Sequence, residues 1–348
     1  MVLVHLAYEK DPFKPFSLAG AILGEYTRFA AGGFVFVAGL SMGAIFLPRA
    51  RLPRERWKTY RAIWRRCLRL TAWQYVAGAG LIALAIFRGI HPPVTNYWTL
   101  LGHLLTFREG GDLLPLYIIL IALAPLFMEI LRRQSGWLIL SCLSIILFAR
   151  GLFAPYQIAV DPNGNFPPLL WQLIFISGLL AGSILPWFDS RSSRIKWTVA
   201  AIAWIACGLM FWADWGWSFG MPHFPLPIGF RKVPLNTWET VRYLSAIIAL
   251  ITTTDRLWRP ILSDGFFARF STALGRNSLP IYVVHLFLME FAGMLANSWN
   301  LSVGQILIFF TPPSLLILWL LALLLDARKR QRAVPRAAQA NVLAGQYS

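Results

Sequence analysis

The sequence predicts an all-α fold, a polytopic transmembrane helical bundle with nine complete spans and one partial first span. Composition is the first reason. Of 348 residues, 57% are hydrophobic and 14% charged, with a mean hydropathy of +0.58, too apolar for one or two soluble domains. The second reason is length: apolar runs of ~20 residues, enough to cross a ~30 Å hydrocarbon core, recur along almost the whole chain. The third is where the charge sits. Basic residues gather in every second gap between the runs, so the net charge of +17 is a topology signal and does not point to nucleic acid. Cys67, Cys142 and Cys207 are widely spaced and fit neither a metal site nor a disulfide framework. No metal and no bound cofactor is expected.

The chain opens with MVLVHLA, apolar but too short to span, and Tyr8, Glu9, Lys10, Asp11 and Pro12 end it. This stretch reads as the last turns of a first helix whose beginning precedes Met1. Complete spans follow at 29–47, 70–87, 113–131, 136–153, 169–187, 197–213, 238–254, 279–297 and 303–325. The span at 113–131 has an unusual start. No charge occurs between Asp112 and Glu129, Asp112 stands at the N-cap, Pro115 falls in the tolerant first turn, and Tyr117 follows one turn inside. A plain reading is a capped helix start with an interfacial tyrosine. Residues 1–327 form one transmembrane domain, and 328–348 form a polar, basic tail expected to be cytoplasmic and disordered.

Loop charge sets the orientation. Nine basic residues lie between Arg49 and Arg69. Arg132 and Arg133, then Arg191, Arg194 and Lys196, then Arg256, Arg259, Arg269 and Arg276, and finally the tail from Arg328 mark the same side. That side is cytoplasmic, and the Pro-, Trp- and Gly-rich loops between face outward. Gly39 and Gly43, and Gly178 and Gly182, are four apart and allow close helix contact. Trp212, Trp215 and Trp217 read as an interfacial belt, and 262–273 as an amphipathic basic segment along the inner surface.

An ionisable group in a bilayer costs at least ~2.5–3.5 kcal/mol on insertion scales, so each needs a reason. By this topology His5, Asp112, Gln172 (after Trp171) and Arg242 (three residues after Glu239) fall at outer helix ends, and His285 lies near the middle of its span. Each has a plain alternative: Arg242 pairs with Glu239 and snorkels, Gln172 is interhelical glue, His285 is a satisfied core histidine and His5 is interfacial. The basic run at 49–69 is mainly topological, with attraction of coenzyme phosphates as a second use. Taken together, a histidine near a carboxylate can deprotonate a hydroxyl, and an arginine can hold an anion or an oxyanion. No serine or cysteine sits in a nucleophile elbow, which favours direct transfer over a covalent acyl-enzyme.

DLLPLYIILIALAPLF at 112–127, FPPLLWQLIFISGLLAG at 166–182 and LGRNSLPIYVVHLFL at 274–288 resemble motifs of OpgC-type membrane succinyltransferases, relatives of the acyltransferase-3 superfamily. FVFVAGLSMG at 34–43 and WETVRYLSAIIAL at 238–250 are similar to that family's second and eighth helices. The resemblance implies a ten-helix fold in the bacterial inner membrane, an acyl-CoA donor on the cytoplasmic side and a periplasmic glucan or other glycan as acceptor. It implies that His5 matches the family's catalytic base. From the residues themselves, Asp112 is expected to orient that base or bind the acceptor, and Arg242 to hold an anion or oxyanion. Tyr117, Trp171, Gln172, Glu239 and His285 then bind substrate. The chain departs from the family in lacking the Arg–Gly segment before the histidine, in Val4, and in Gly32 and Gly33 where an acidic residue is common. The expected function is O-transfer of a succinyl or similar short acyl group. A transporter or glycan flippase is the alternative, weakened by the lack of an internal repeat. A non-catalytic membrane partner is a third.

Overall fold

The computed structural model describes residues 31–87, 113–153, 166–215, 235–257, 265–299, 301 and 303–345. Among the described residues there are ten helices and no strand. We label them α1 (Ala31–Arg51), α2 (Pro53–Phe87), α3 (Leu113–Leu131), α4 (Gly136–Phe153), α5 (Pro168–Asp189), α6 (Ser193–Trp215) and α7 (Thr237–Leu257). They are followed by α8 (Phe266–Arg276), α9 (Ser278–Ser298) and α10 (Val303–Gly345). The helices fall into two compact units, α1–α7 and α8–α10.

Eight helices, all but α7 and α8, are long and apolar enough to cross a membrane. The expected count of nine complete spans therefore resolves into eight plus α7, which stands where a span was expected. Its 21 residues suffice in length, but Glu239, Arg242, Thr252, Thr253, Thr254, Asp255 and Arg256 lower its hydropathy. The partial first span lies outside the described residues.

One expectation is corrected. The basic run at 48–69 is not a loop, because α1 continues to Arg51 and α2 begins at Pro53. Arg, Lys, Glu and Leu form helix readily, so charge density alone does not break one. Only Leu52 turns the chain; its backbone is extended, as expected for a residue that precedes proline. Pro48 has a second effect. It cannot donate to the Ala44 carbonyl, and the helix widens into a π turn at Met42–Phe46, where the Leu47 N–H bonds to Met42. The 35 residues of α2 make a rod of ~52 Å at 1.5 Å per residue, longer than the bilayer core. At the other end, α10 runs to Gly345, past residue 328 where the polar tail begins.

In the first unit α5 is the hub. It packs against α1, α3, α4 and α7, and Leu170, Trp171, Ile174, Phe175, Ile176 and Leu179 are buried along it. Its contact with α1 is backbone on backbone. A Cβ on Gly39 would strike the Phe175 carbonyl, and one on Gly43 the Leu179 carbonyl. Reciprocally, a Cβ on Gly178 would strike the Phe36 carbonyl, and one on Gly182 the Leu40 carbonyl. Residue numbers rise together on both helices, so the pair is parallel. Lipid chains are as apolar as the side chains, so helices in a bilayer gain from closeness of packing more than from burial. Four glycines at spacing four maximise that closeness.

In the second unit Asn277, buried between α8 and α9, donates through Nδ2 to Asp326 Oδ1 at 2.9 Å and to the Ala273 and Ala322 carbonyls. Lys329 Nζ donates to its Oδ1 at 2.7 Å. This polar knot ties the α8–α9 corner to α10. The amphipathic helix foreseen at 262–273 is α8, whose Phe266 and Phe270 rings pack on Trp319.

The glycine crossing is testable by thermal melting in detergent. Alanine normally favours a helix over glycine by ~1 kcal/mol, yet Gly178→Ala should lower the melting temperature sharply. Gly208→Ala, where nothing lies within 4 Å of the added carbon, should melt like the wild type or higher. Equal behaviour of the two variants would contradict the crossing.

Candidate functional site

The parallel crossing sets the N-terminal ends of α1 and α5 side by side, and two more helix starts join them. The Phe34 ring of α1 lies 5.1 Å from the Tyr117 ring of α3. The Trp171 ring of α5 lies 6.0 Å from the Tyr243 ring of α7 and 5.0 Å from Phe166. Tyr243 reaches across to α1, where a Cβ on Gly32 would come within 2.7 Å of its ring. Thus the absence of a side chain at residue 32, noted in the sequence as a departure, is what seats Tyr243. Trp171, Tyr117 and Tyr243 are all buried, and the Trp171 indole N–H has no hydrogen-bond partner.

Arg242 and Glu239 form an ion pair one helical turn apart on α7, with side-chain exposures of 0% and 1%. The snorkelling reading of Arg242 is therefore half right: the pair forms, but the guanidinium stays inside. Local sequence explains its setting. Asn236 caps α7, its Oδ1 accepting from the Glu239 N–H at 2.9 Å, and the Thr240 hydroxyl donates to the Asn236 carbonyl at 2.8 Å. In the usual capping box the glutamate at this position turns back to the cap; here it turns inward to Arg242. Glu239 Oε1 is buried without a hydrogen-bond partner, so one carboxylate oxygen of the pair is still available to accept.

The other expected site residues are placed as follows. Gln172 bridges α5 to α4. Its Oε1 accepts from the Ser144 hydroxyl at 2.8 Å, and its Nε2 donates to the Ser144 carbonyl at 2.8 Å and to Leu169 at 3.2 Å. That is the interhelical role foreseen as the plain alternative. His285 belongs to the second unit; it is buried, its Nδ1 meets the Tyr282 carbonyl, and its ring lies 5.1 Å from Tyr282. His5 and Asp112 lie outside the described residues. Tyr117, Trp171, Glu239 and Arg242 lie in the first unit, each within two turns of the start of its helix, and Trp171 meets Tyr243, the chain neighbour of Arg242.

Three features escaped the sequence. Tyr243, adjacent to Arg242, was hidden because tyrosine passes as apolar in a span. Arg66, read as a loop charge, lies on α2 beside the Tyr117 hydroxyl and acts on it through charge and a hydrogen bond. Glu129 was read only as the end of a span. It accepts from the Tyr60 hydroxyl and from Arg132 Nη1, each at 2.5 Å, and locks α2 to α3 at the end remote from Tyr117. The polar Asn-x-x-Glu signature at 236–239 was the readable sign of the α7 start.

A family model for the OpgC protein matches residues 26–330, most of the chain. The chain belongs to the OpgC family. The match takes in Tyr117, Trp171, Gln172, Glu239, Arg242 and His285, and it starts after His5. No curated protein and no solved structure matches the chain. With eight helices fit to cross a bilayer, this OpgC-type chain is a membrane protein whose described site gathers at the starts of α1, α3, α5 and α7.

A buried ion pair that is intact adds little net stability, but removing one partner strands the other. Arg242→Met should therefore destabilise the protein by ~3 kcal/mol, and adding Glu239→Gln should recover most of that loss. Thermal melting in detergent reads both. A double variant no more stable than Arg242→Met would show that the arginine holds the site by some other contact.

Proposed function

We propose that this chain is an integral inner-membrane O-acyltransferase that moves a succinyl or similar short acyl group from cytoplasmic acyl-CoA to a hydroxyl of a periplasmic glucan or related glycan. The observation that supports it most is the gathering of an aromatic wall and a buried, paired arginine at the shared start of four helices, within a chain of the OpgC family. By the loop-charge rule this end faces the periplasm, and the C-terminus faces the cytoplasm.

In this reading His5 takes the proton from the sugar hydroxyl as the oxygen attacks the thioester carbonyl. Asp112 holds the imidazole and favours the imidazolium formed. Arg242, fixed by Glu239, lowers the energy of the oxyanion that develops on the carbonyl. The carbon–sulfur bond then breaks, and the departing thiolate takes the proton back from His5. Trp171, Tyr117 and Gln172 border the acceptor, and His285 is kept as a substrate-binding residue.

The test uses purified protein in proteoliposomes with succinyl-CoA and linear glucan. Release of free coenzyme A that depends on glucan is the expected result. Arg242→Lys keeps the charge but loses the planar fork, so it should melt like the wild type and lose ~10²-fold or more in transfer. Counterflow of labelled sugar without any release of coenzyme A would overturn the acyltransferase reading in favour of a transporter.

A further inference from the structure

Gln74 is a polar residue in an otherwise apolar stretch of α2. Only 2% of it is exposed, and both its amide atoms, Oε1 and Nε2, are buried without a hydrogen-bond partner. A buried amide that serves packing is normally satisfied by its neighbours, as Gln172 is. Leaving a donor and an acceptor unmade in a membrane interior is costly, so a residue that helped only the fold would be replaced by leucine or methionine without loss. The amide therefore serves something outside the described packing.

Its position says what. Two contacts fix the register of α2 against α3: Tyr60 with Glu129, and Cys67 Sγ with the Ile118 carbonyl. The helices run antiparallel, so moving up α2 moves towards the start of α3. Gln74 lies seven residues beyond Cys67, a near-integral two turns, and hence on the same buried face. It stands ~12 Å beyond Arg66, which touches Tyr117, at 1.5 Å per residue. The amide is thus at the end of the bundle where Tyr117, Trp171 and the Arg242–Glu239 pair gather, and displaced further along the axis in the direction from which a periplasmic substrate arrives.

We infer that Gln74 is a binding residue for the polyhydroxylated acceptor, its Nε2 donating to one sugar hydroxyl and its Oε1 accepting from a neighbouring one. This rests on the acceptor being a glycan, as proposed above. A primary amide offers both a donor and an acceptor in one plane, which suits adjacent hydroxyls, each able to give and to receive. Neither the carbonyl of a thioester nor a lipid chain would use both. Gln74 touches no reacting atom in this scheme, so it acts on affinity and leaves the chemical step alone.

The experiment measures binding of linear glucan oligosaccharide to the full-length protein in detergent by tryptophan fluorescence, beside thermal melting. It compares wild type, Gln74→Met and Gln74→Asn. Loss of two hydrogen bonds should weaken glucan binding about tenfold or more in Gln74→Met. The melting temperature should stay the same or rise, because an unsatisfied amide has been removed. Gln74→Asn, shorter by one methylene, should bind with intermediate affinity. In the transfer assay Gln74→Met should raise KM for glucan and leave kcat and KM for succinyl-CoA unchanged. Unchanged glucan affinity in Gln74→Met, with the wild type binding normally, would overturn the role of Gln74 alone. A lower melting temperature would mark the residue as structural and overturn it too. Failure of the wild type to bind any glucan would overturn the glycan acceptor itself, and the assignment with it.

Discussion

The parallel contact of α1 with α5 is the constraint on which the first unit depends. Four glycines let two backbones touch, and a single methyl group on any of them would meet a carbonyl. In lipid there is little hydrophobic gain from bringing helices together, so this closeness stands in for the buried core of a soluble protein. Its parallel sense matters as much as its tightness. It sets two helix starts at one end, and α3 and α7 join through Phe34 with Tyr117 and through Gly32 with Tyr243. Glycine thus acts twice on α1. At 39 and 43 it admits a helix, and at 32 it admits an aromatic ring.

What collects at that end would be expensive elsewhere in the bundle. Arg242 and Glu239 neutralise each other in a place sealed from water. Such a pair is a poor source of stability, because desolvation consumes most of the attraction. It is a good way to hold a guanidinium still, since a preorganised charge needs no rearrangement when it meets an anion. Asn236 and the start of α7 fix Glu239, and Glu239 fixes Arg242. At the opposite end of α2 and α3, Tyr60, Glu129 and Arg132 form a similar but half-exposed latch. The long helix α2 joins the two ends.

Much of this was legible in the sequence, and the gaps have physical causes. Span positions followed from apolar length, which the bilayer dictates. The glycine pairs were visible, but not that each faces the other, because spacing names an interface without naming its partner. The run from Arg49 to Arg69 was misread because charge was taken to mean loop; arginine and lysine are good helix formers, and α2 simply extends through them. Arg242 and Glu239 stood out by cost, whereas Gln74 did not, since one neutral amide scarcely changes the hydropathy of a span. Tyr243 was invisible for a related reason: its ring reads as core, and its contacts with Gly32 and Trp171 show it bridging α7 to α1 and α5. Asn277 carried no signal of its own in the sequence, and its ties to Asp326 and Lys329, some fifty residues on, needed the fold.

We propose that the shared start of α1, α3, α5 and α7 is a glycan site open to the periplasm. It is tested most directly by a cysteine placed at Phe34, which is half-buried beside Tyr117, in a chain whose three native cysteines are replaced. Intact cells are treated with a membrane-impermeant maleimide, with and without linear glucan. Labelling from outside and protection by glucan are the expected results. Labelling only after the membrane is opened, or labelling that glucan leaves unchanged, would contradict it.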